Sequence, residues 1–547
     1  MSKALRIILF TLAGIIVIVA GGLLYLDLNF ENILQNKLRK SLTKSSGQVH
    51  SVSFDKADLG VFGTDVTVTN LSIVPDSSAS VDSLKSRFTL RAEIESIKLT
   101  GFSLWDYLFD NQVTLSTVQA DQPEITYLKL SRDTSESKEK EKKSSLKGIH
   151  VGQVDLSTAQ VTFGASGGKQ HYIEGEQITV EPLSLAMGKG GLSSLQKTSG
   201  TVSQYAYHPP GGLYRWKVGG TTFRMNEGEI TVDSLQLIPQ YGKVEFAQHL
   251  GHQKTRLDLS VGKITVQGLL PDSLLAAAPQ VRAQKIVVDE MDLGLYMDQR
   301  LPDPKKDKPM PQERLKEMGA IIRVDSLEVN RSLITYEEMK EGNKEPGRIT
   351  FQNISAKGDH LTNEGQAEDS VITLAVNADF MGQAAMEVTY AFDMVSPDHT
   401  VHIEGELAPC QMEIANPMLE HAANLRVQGG QNEGLYFNMY LDKNEAGGDV
   451  RWLYEGVNIV PLGKNENAGL LDQLKGFIAE SFILKKNNPS SENEEPRIGQ
   501  VSNRRVTHKS IFNYSWKSLL SGMKDSMGVK SNKGDKSSQG SDNNKSD

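Results

Sequence analysis

Three groups of residues have types and spacings that chemistry can use. Gly164-Ala-Ser166-Gly-Gly168 has the Gly-x-Ser-x-Gly spacing of a hydrolase nucleophile elbow, which needs a buried strand before the serine and a helix directly after it. Lys169-Gln-His-Tyr-Ile173 follows instead and carries no helical pattern, so the segment reads as a glycine-rich hairpin loop. His249 and His252, and again His399 and His402, stand three residues apart, with Glu404 and Glu406 after the second pair. On a strand such a pair points to opposite faces and does not converge on one metal ion, so these read as surface histidines. Gly188-Lys-Gly-Gly191 lacks the strand and helix that flank a phosphate loop. The expectation is a non-enzymatic chain with no catalytic residues, no metal and no cofactor.

Composition narrows the class. The 547 residues carry a formal charge of -9, which leaves no basic surplus to neutralise phosphates and argues against a nucleic-acid partner. Cys410 is the one cysteine, so no intrachain disulfide can form and burial with hydrogen bonding must supply stability. Glycine is common and aromatics are modest, which suits many short strands and turns.

The first thirty residues set topology. Ile7 to Leu26 runs without a charge, long enough as a helix at about 1.5 Å per residue to cross a hydrocarbon core of roughly 30 Å. Lys3 and Arg6 precede it and Asp27 and Glu31 follow, so the positive-inside rule predicts a cytoplasmic N-terminus and an outward-facing body. A cleavable signal peptide is the competing reading. The apolar run continues past the small residues Ala20-Gly-Gly22 to Leu26, which favours an uncleaved anchor.

Beyond the anchor, Ile33 to Leu42 is a short amphipathic stretch expected to continue the helix just outside the membrane, and then the period changes to two. Val66 to Val74 and Phe88 to Ile94 alternate apolar and polar residues, as half-buried strands do. A pattern of apolar residues at offsets 0, 2, 5, 7, 12 and 14 then repeats. Val113, Leu115, Val118, Ala120, Ile125 and Tyr127 give one copy. Ile149, Val151, Val154, Leu156, Val161 and Phe163 give a second, and Ile322, Val324, Leu327, Val329, Ile334 and Tyr336 a third. Ile230, Val232, Leu235, Leu237, Val244 and Phe246 give a fourth with two extra residues near Pro239 and Gly242, and first halves recur at Ala92 and at Ile286, Val288, Met291 and Leu293. The step of three predicts a bulge and the gap of five a turn, so each unit is expected to be a strand, a kink and a hairpin return with one apolar face. Such a unit must stack on its neighbours to bury that face.

The predicted map is a cytoplasmic N-terminus (1–6), an anchor (7–28), a first β part (29–300, with a charged loop at 132–147), a linker or loop (301–316), a second β part (317–465), C-terminal helical segments (466–530) and a disordered tail (531–547). Two helical faces are expected near the end. Leu470, Leu471, Leu474, Phe477, Ile478 and Phe482 form one; Phe512, Trp516, Leu519, Leu520 and Met523 form the other, which reads either as a cap on the β domain or as a membrane-surface helix.

This organisation resembles the AsmA-like family of Gram-negative envelope proteins, relatives of TamB and YhdP. The resemblance rests on the uncharged Ile7 to Leu26 and on strand pairs such as Thr64-Asp-Val-Thr-Val-Thr-Asn-Leu-Ser-Ile73. It rests also on Val324-Asp-Ser-Leu-Glu-Val329 with Leu333-Ile-Thr-Tyr336, and on the ending Asn487-Asn-Pro489 with Ser510-Ile-Phe-Asn-Tyr-Ser-Trp-Lys-Ser-Leu-Leu-Ser-Gly-Met-Lys524. It implies a mainly β fold, in which an N-terminal transmembrane helix precedes a long curved antiparallel β-sheet groove with repeated strand-hairpin units and short C-terminal helices. It also implies a single-pass inner-membrane protein with its body in the periplasm, which binds or helps transfer phospholipids and supports outer-membrane integrity. The lining expected to meet lipid is Val151, Val154, Leu156 and Val161 with Ile322, Val324, Leu327 and Ile334. Membrane lipids and envelope assembly proteins are the implied partners, and a scaffold for outer-membrane protein assembly that uses exposed sheet edges is the alternative.

Overall fold

In the computed structural model every described strand belongs to one continuous sheet, which runs from His50–Ser53 to Ile498–Arg504. The structure describes residues 30–46, 50–60, 64–76, 88–103, 105–129, 147–188, 191–195, 197–275, 280–364, 371–462 and 485–528. The expected span at 7–28, most of the charged loop at 132–147, the helical face at 470–482 and the tail at 531–547 lie outside them. Among the described residues no helix is long and apolar enough to cross a membrane.

The sheet is mixed, which corrects the antiparallel expectation. Strand Gly148–Ala165 pairs in parallel with Gln112–Asp121 and Glu124–Lys129, and strand Ile321–Met339 pairs in parallel with Gln280–Asp298. The first pairing sets the first two motif copies side by side, position for position: Val113 faces Ile149, Val118 faces Val154 and Ile125 faces Val161. Parallel neighbours need a crossover of a dozen or more residues. The charged segment before Gly148 is one such crossover, and residues 299–320, with helix Pro311–Lys316, are the other.

The second pairing also corrects the frame of the repeat. Ile322, Val324, Leu327, Val329, Ile334 and Tyr336 face Val281, Ala283, Ile286, Val288, Leu293 and Leu295. The latter set is a complete copy at the same offsets, so the unit begins at Val281 and not at Ile286.

Nor does the motif turn back as a hairpin. In both parallel pairs the ladder skips offset 3 and then offsets 9 and 10, and otherwise runs on. Offset 9 carries a left-handed residue in every paired copy: Gln122 (φ 46), Thr158 (φ 48), Glu290 (φ 58) and Arg331 (φ 48). A single left-handed residue inserts a kink that returns the next apolar pair to the same face, so the gap of five is a bulged continuation of the strand. The fourth copy departs again, because Val244 and Phe246 lie on helix Lys243–Leu250 and form no strand.

Two helices close the ends of the sheet. Helix Phe30–Ser46 has Glu31 in its first turn and buries Leu34, Leu38 and Leu42, one stripe at a spacing of four. These leucines join Val66, Val68, Ile97 and Leu99 in the N-terminal core. At the other end, helix Ile511–Ser526 starts at Ser510, whose side chain accepts from the Asn513 N–H at 3.3 Å. It buries Tyr514, Ser518, Gly522 and Ser526 against strands Glu445–Pro461 and Ile498–Arg504. Small residues are required there: a Cβ on Gly499 would stand 1.9 Å from the Gly522 carbonyl oxygen.

Candidate functional site

Residues paired across a sheet point to the same face, whichever way the strands run. One row can therefore be followed from end to end. Val66, Leu99, Val118 and Val154 lead into Val180, Gly200, Phe223 and Ile230. Val266, Ile286, Leu327 and Gly358 continue it. Leu374, Tyr390, Ile403, Met439, Gly448 and Val501 complete it. Every member is apolar, glycine or tyrosine. At about 4.8 Å per strand the row is roughly 80 Å long.

A second row passes through Val68, Ile97, Ala120 and Leu156, then Ile178, Val202, Thr221 and Val232, then Ile264, Val288 and Val329, and reaches Val450 and Gly499, with Thr221 its polar member. Between the two rows, on the opposite face, lies a polar row that includes Lys98, Gln119 and Asp155 and then the consecutive threonines Thr179, Thr201, Thr222, Thr231 and Thr265. The sheet is thus amphipathic along its whole described length. Where glycines interrupt the apolar rows, rings fill the space: a Cβ on Gly200 would stand 2.8 Å from the Phe223 ring, and one on Gly405 would stand 2.6 Å from the Phe437 ring.

Burial along the first row divides it into three. Val66, Leu99, Val118 and Val154 are buried, and so are Ile403, Met439 and Val501. From Val180 to Tyr390 the members are half-buried, Gly358 excepted. The two helices explain the division, because both lie on this face. The N-terminal one packs on Val66, Val68, Ile97 and Leu99, where the space left between helix and sheet is about 10 Å³, too small for a ligand. The C-terminal one sets Gly522 against Val450 and Val501. Over the central rows the described residues place no helix of comparable length.

One margin of this face is aromatic. Tyr127, Phe163 and His171 stand side by side across the strands, with Phe163 and His171 stacked at 5.0 Å and the Tyr207 hydroxyl 2.5 Å from His171 Nδ1. Tyr214 accepts from the Leu257 N–H at 3.2 Å, and the Tyr336 hydroxyl donates to Glu338 at 2.7 Å. Burial holds the Tyr127, Tyr207 and Tyr214 phenols above the usual range. Burial, reinforced by the Glu338 carboxylate, does the same to Tyr336. These groups stay neutral near pH 7, each with an apolar body and a polar tip.

The residues chosen from sequence separate along this division. Val151 and Val154 are buried in the N-terminal core, and Leu156 packs against it. Val324 is buried, whereas Val161, Ile322, Leu327 and Ile334 are half-buried. On the last helix Leu519 and Met523 pack against the C-terminal core, Leu520 is half-buried, and Phe512 (73%) and Trp516 (46%) are exposed. The predicted single face is therefore two faces, because Ser518 and Gly522 take the contact with the sheet. Burial, then the charge of Lys517, lowers the Lys524 ammonium from its ordinary value.

The polar motifs lie apart from this surface. Ser166 occupies the turn between strands Gly148–Ala165 and Gln170–Val180. His249 ends a helix and stacks on Tyr241 at 4.3 Å, so the first histidine pair is not on a strand. His399 faces Glu313 at 3.4 Å and His402 is exposed. Among the described residues no three His, Cys, Asp or Glu side chains converge as metal ligands would.

Sequence reasoning missed central members of the rows, such as Val202, Phe223, Leu374 and Tyr390, and also Leu259, which pairs with Leu237 and Leu293 in a neighbouring apolar row. Their strands alternate, so a signal is present, but these residues lie outside the repeated offsets. No protein-family model matches this sequence, and no curated protein matches it.

Proposed function

We propose that the chain is a non-enzymatic, membrane-anchored envelope protein of AsmA-like type, in which the central apolar face holds lipid acyl chains. The observation that carries this reading is the apolar row that stays half-buried from Val180 to Tyr390 while both of its ends are packed under helices. Acyl chains laid on that stretch would take the remaining apolar surface out of water, at roughly 0.8 kcal/mol per buried methylene. The tyrosines on one margin suit the level at which a headgroup meets water. Transfer of phospholipid between the inner membrane and the outer envelope follows as the role, with residues 7–26 as the tether.

The full chain, purified in detergent and exchanged into lipid-free amphipol, is expected to retain phospholipid detectable by native mass spectrometry. Leu259→Asp with Leu327→Asp is expected to lose it while keeping the fold. Equal lipid on both proteins, or none on either, would contradict the reading.

A second reading, an assembly scaffold, needs a free sheet edge; strand Ile498–Arg504 pairs with one strand among the described residues, and its outward Gln500 and Ser502 N–H groups donate to Asp525 and Ser521 of helix Ile511–Ser526, so a client strand would have to displace that helix. Pairing of that edge with a client strand would use backbone hydrogen bonds. Crosslinks from this strand to β-barrel proteins, with no lipid on the central face, would favour it.

A further inference from the structure

We infer that Trp105 and Phe109 form a second membrane contact, seated in the interfacial layer of the bilayer that holds residues 7–26. The inference rests on the anchor reading above and adds a site to it. The two rings are 72% and 68% exposed and stack on each other with centroids 5.2 Å apart. They stand on one π-helical turn, Asp106–Asp110, which Asn111 closes in the left-handed region at φ 53.

The base of this turn is tied to the sheet by hydrogen bonds. The Gly101 N–H donates to Asp65 Oδ1 at 3.0 Å and the Phe102 N–H to the Thr64 carbonyl at 3.1 Å. The Ser103 N–H donates to the Thr114 carbonyl at 3.0 Å, and the Lys147 N–H to the Asn111 carbonyl at 2.8 Å. Two large rings are therefore presented to solvent on a fixed platform. That arrangement has no use in the sheet itself, because neither ring is buried against the core.

The chain enters at the same margin. The Ala57 N–H donates to Glu31 Oε1 at 3.1 Å, so the first turn of helix Phe30–Ser46 sits over strand Lys56–Leu59. Leu59 pairs with Val66, and Val66 with Leu99, just before the connection that bears Trp105 and Phe109. Only residues 27–29 separate Phe30 from the uncharged run that ends at Leu26. At no more than about 3.5 Å per residue, a span ending at Leu26 holds Phe30 within roughly 14 Å of the hydrocarbon edge. An exposed Trp and Phe on that margin are the residue types that settle at headgroup depth. The occupant is therefore the bilayer surface. The contact would orient the sheet so that its N-terminal margin faces the membrane.

Nitroxide labels on the full chain test this. In a Cys410→Ser background, Trp105→Cys, Gly14→Cys and Lys98→Cys are each labelled and reconstituted into phosphatidylcholine vesicles, and collision with oxygen and with a water-soluble nickel chelate is measured. Lys98 is an exposed polar-face position. The label at 105 is expected to show a several-fold lower nickel accessibility than that at 98, and Phe109→Cys is expected to match it. If the label at 14 is in hydrocarbon while that at 105 is as wet as that at 98, the inference falls and the anchor stands. If the label at 14 is itself in water, the anchor reading falls and takes the inference with it. Shielding at 105 that appears only when a cell extract is added would mark a protein occupant and overturn the lipid contact.

Discussion

The same motif occurs twice as a parallel pair, and the two pairs differ in burial at matched offsets. Val113 to Tyr127 against Ile149 to Phe163 has the register, the skipped offsets and the left-handed offset-9 residues of Val281 to Leu295 against Ile322 to Tyr336. At offsets 0 and 5 of the first pair Val113, Val118, Ile149 and Val154 are all buried. The matched Val281, Ile286, Ile322 and Leu327 of the second are only half-buried, although Ala283 and Val324 at offset 2 are buried. Strand chemistry does not make the difference. The N-terminal pair belongs to a core completed by the leucines of helix Phe30–Ser46, and among the described residues no comparable helix covers the central pair. An apolar sheet face becomes a core or an open surface according to what is laid across it.

The sharpest break of this comparison uses one residue from each pair at the same offset. Val118→Asp places an unpaired carboxylate in the closed core and is expected to cost roughly 4 kcal/mol or more. Leu327→Asp keeps solvent access and is expected to cost about 1 kcal/mol, as far as a half-buried site allows. Urea unfolding of the two variants measures both. Equal losses would mean that the central face is closed as well.

A smaller effect should separate the covered C-terminal end from the open centre. A Cβ on Gly522 would lie 2.4 Å from Val450 Cγ2, so Gly522→Ala is expected to lift helix Ile511–Ser526 at a cost of about 1–3 kcal/mol. Amide exchange should accelerate in residues 511–526 and along Glu445–Pro461, and remain unchanged between Val180 and Tyr390. Ser510→Ala removes the cap on the same helix and is expected to cost about 1 kcal/mol, read as faster exchange in its first turn alone.

The smallest effect concerns an ion pair at the end of the central strands. Asp298 ends one of the paired central strands, and its buried carboxylate takes two charge-assisted bonds from Arg300, at 2.9 and 2.6 Å. The side-chain bond to Arg300, against an opposing cost of burial, holds Asp298 below its ordinary value of 3.8. A depressed carboxylate contributes stability that is present above 3.8 and lost as the pH falls through the lower folded value. Acid titration of the wild-type chain should show this loss, and Asp298→Asn should flatten the curve in that window.

Much of this organisation was legible in the sequence, and the parts that were not share a cause. Period-two alternation announced the strands, and the amphipathic stretch Ile33 to Leu42 announced part of the first helix. Strand direction was hidden, because the apolar face of a strand reads the same whether its neighbour is parallel or antiparallel. The clue lay in two uninterrupted copies joined by a charged segment too long for a hairpin. The offset-9 kink was hidden for another reason: Gln122, Thr158, Glu290 and Arg331 share no side-chain chemistry, and none is the glycine that usually marks a left-handed position. The start of the copy at Val281 was concealed because Ile286, Val288, Met291 and Leu293 themselves fit the first four offsets. The division between covered and open surface depends on helices hundreds of residues away in sequence from the central strands, and no local pattern records it.

The central claim is that the half-buried middle of the apolar face meets lipid. A photoreactive amino acid placed in living cells at Leu259, Leu293 or Leu327 on that face, and at Thr231 or Thr265 on the polar face, tests it directly. The account predicts crosslinked phospholipid, identified by mass spectrometry, at the three leucine positions and none at the two threonine positions. No lipid at the leucines, or equal lipid at the threonines, would contradict it.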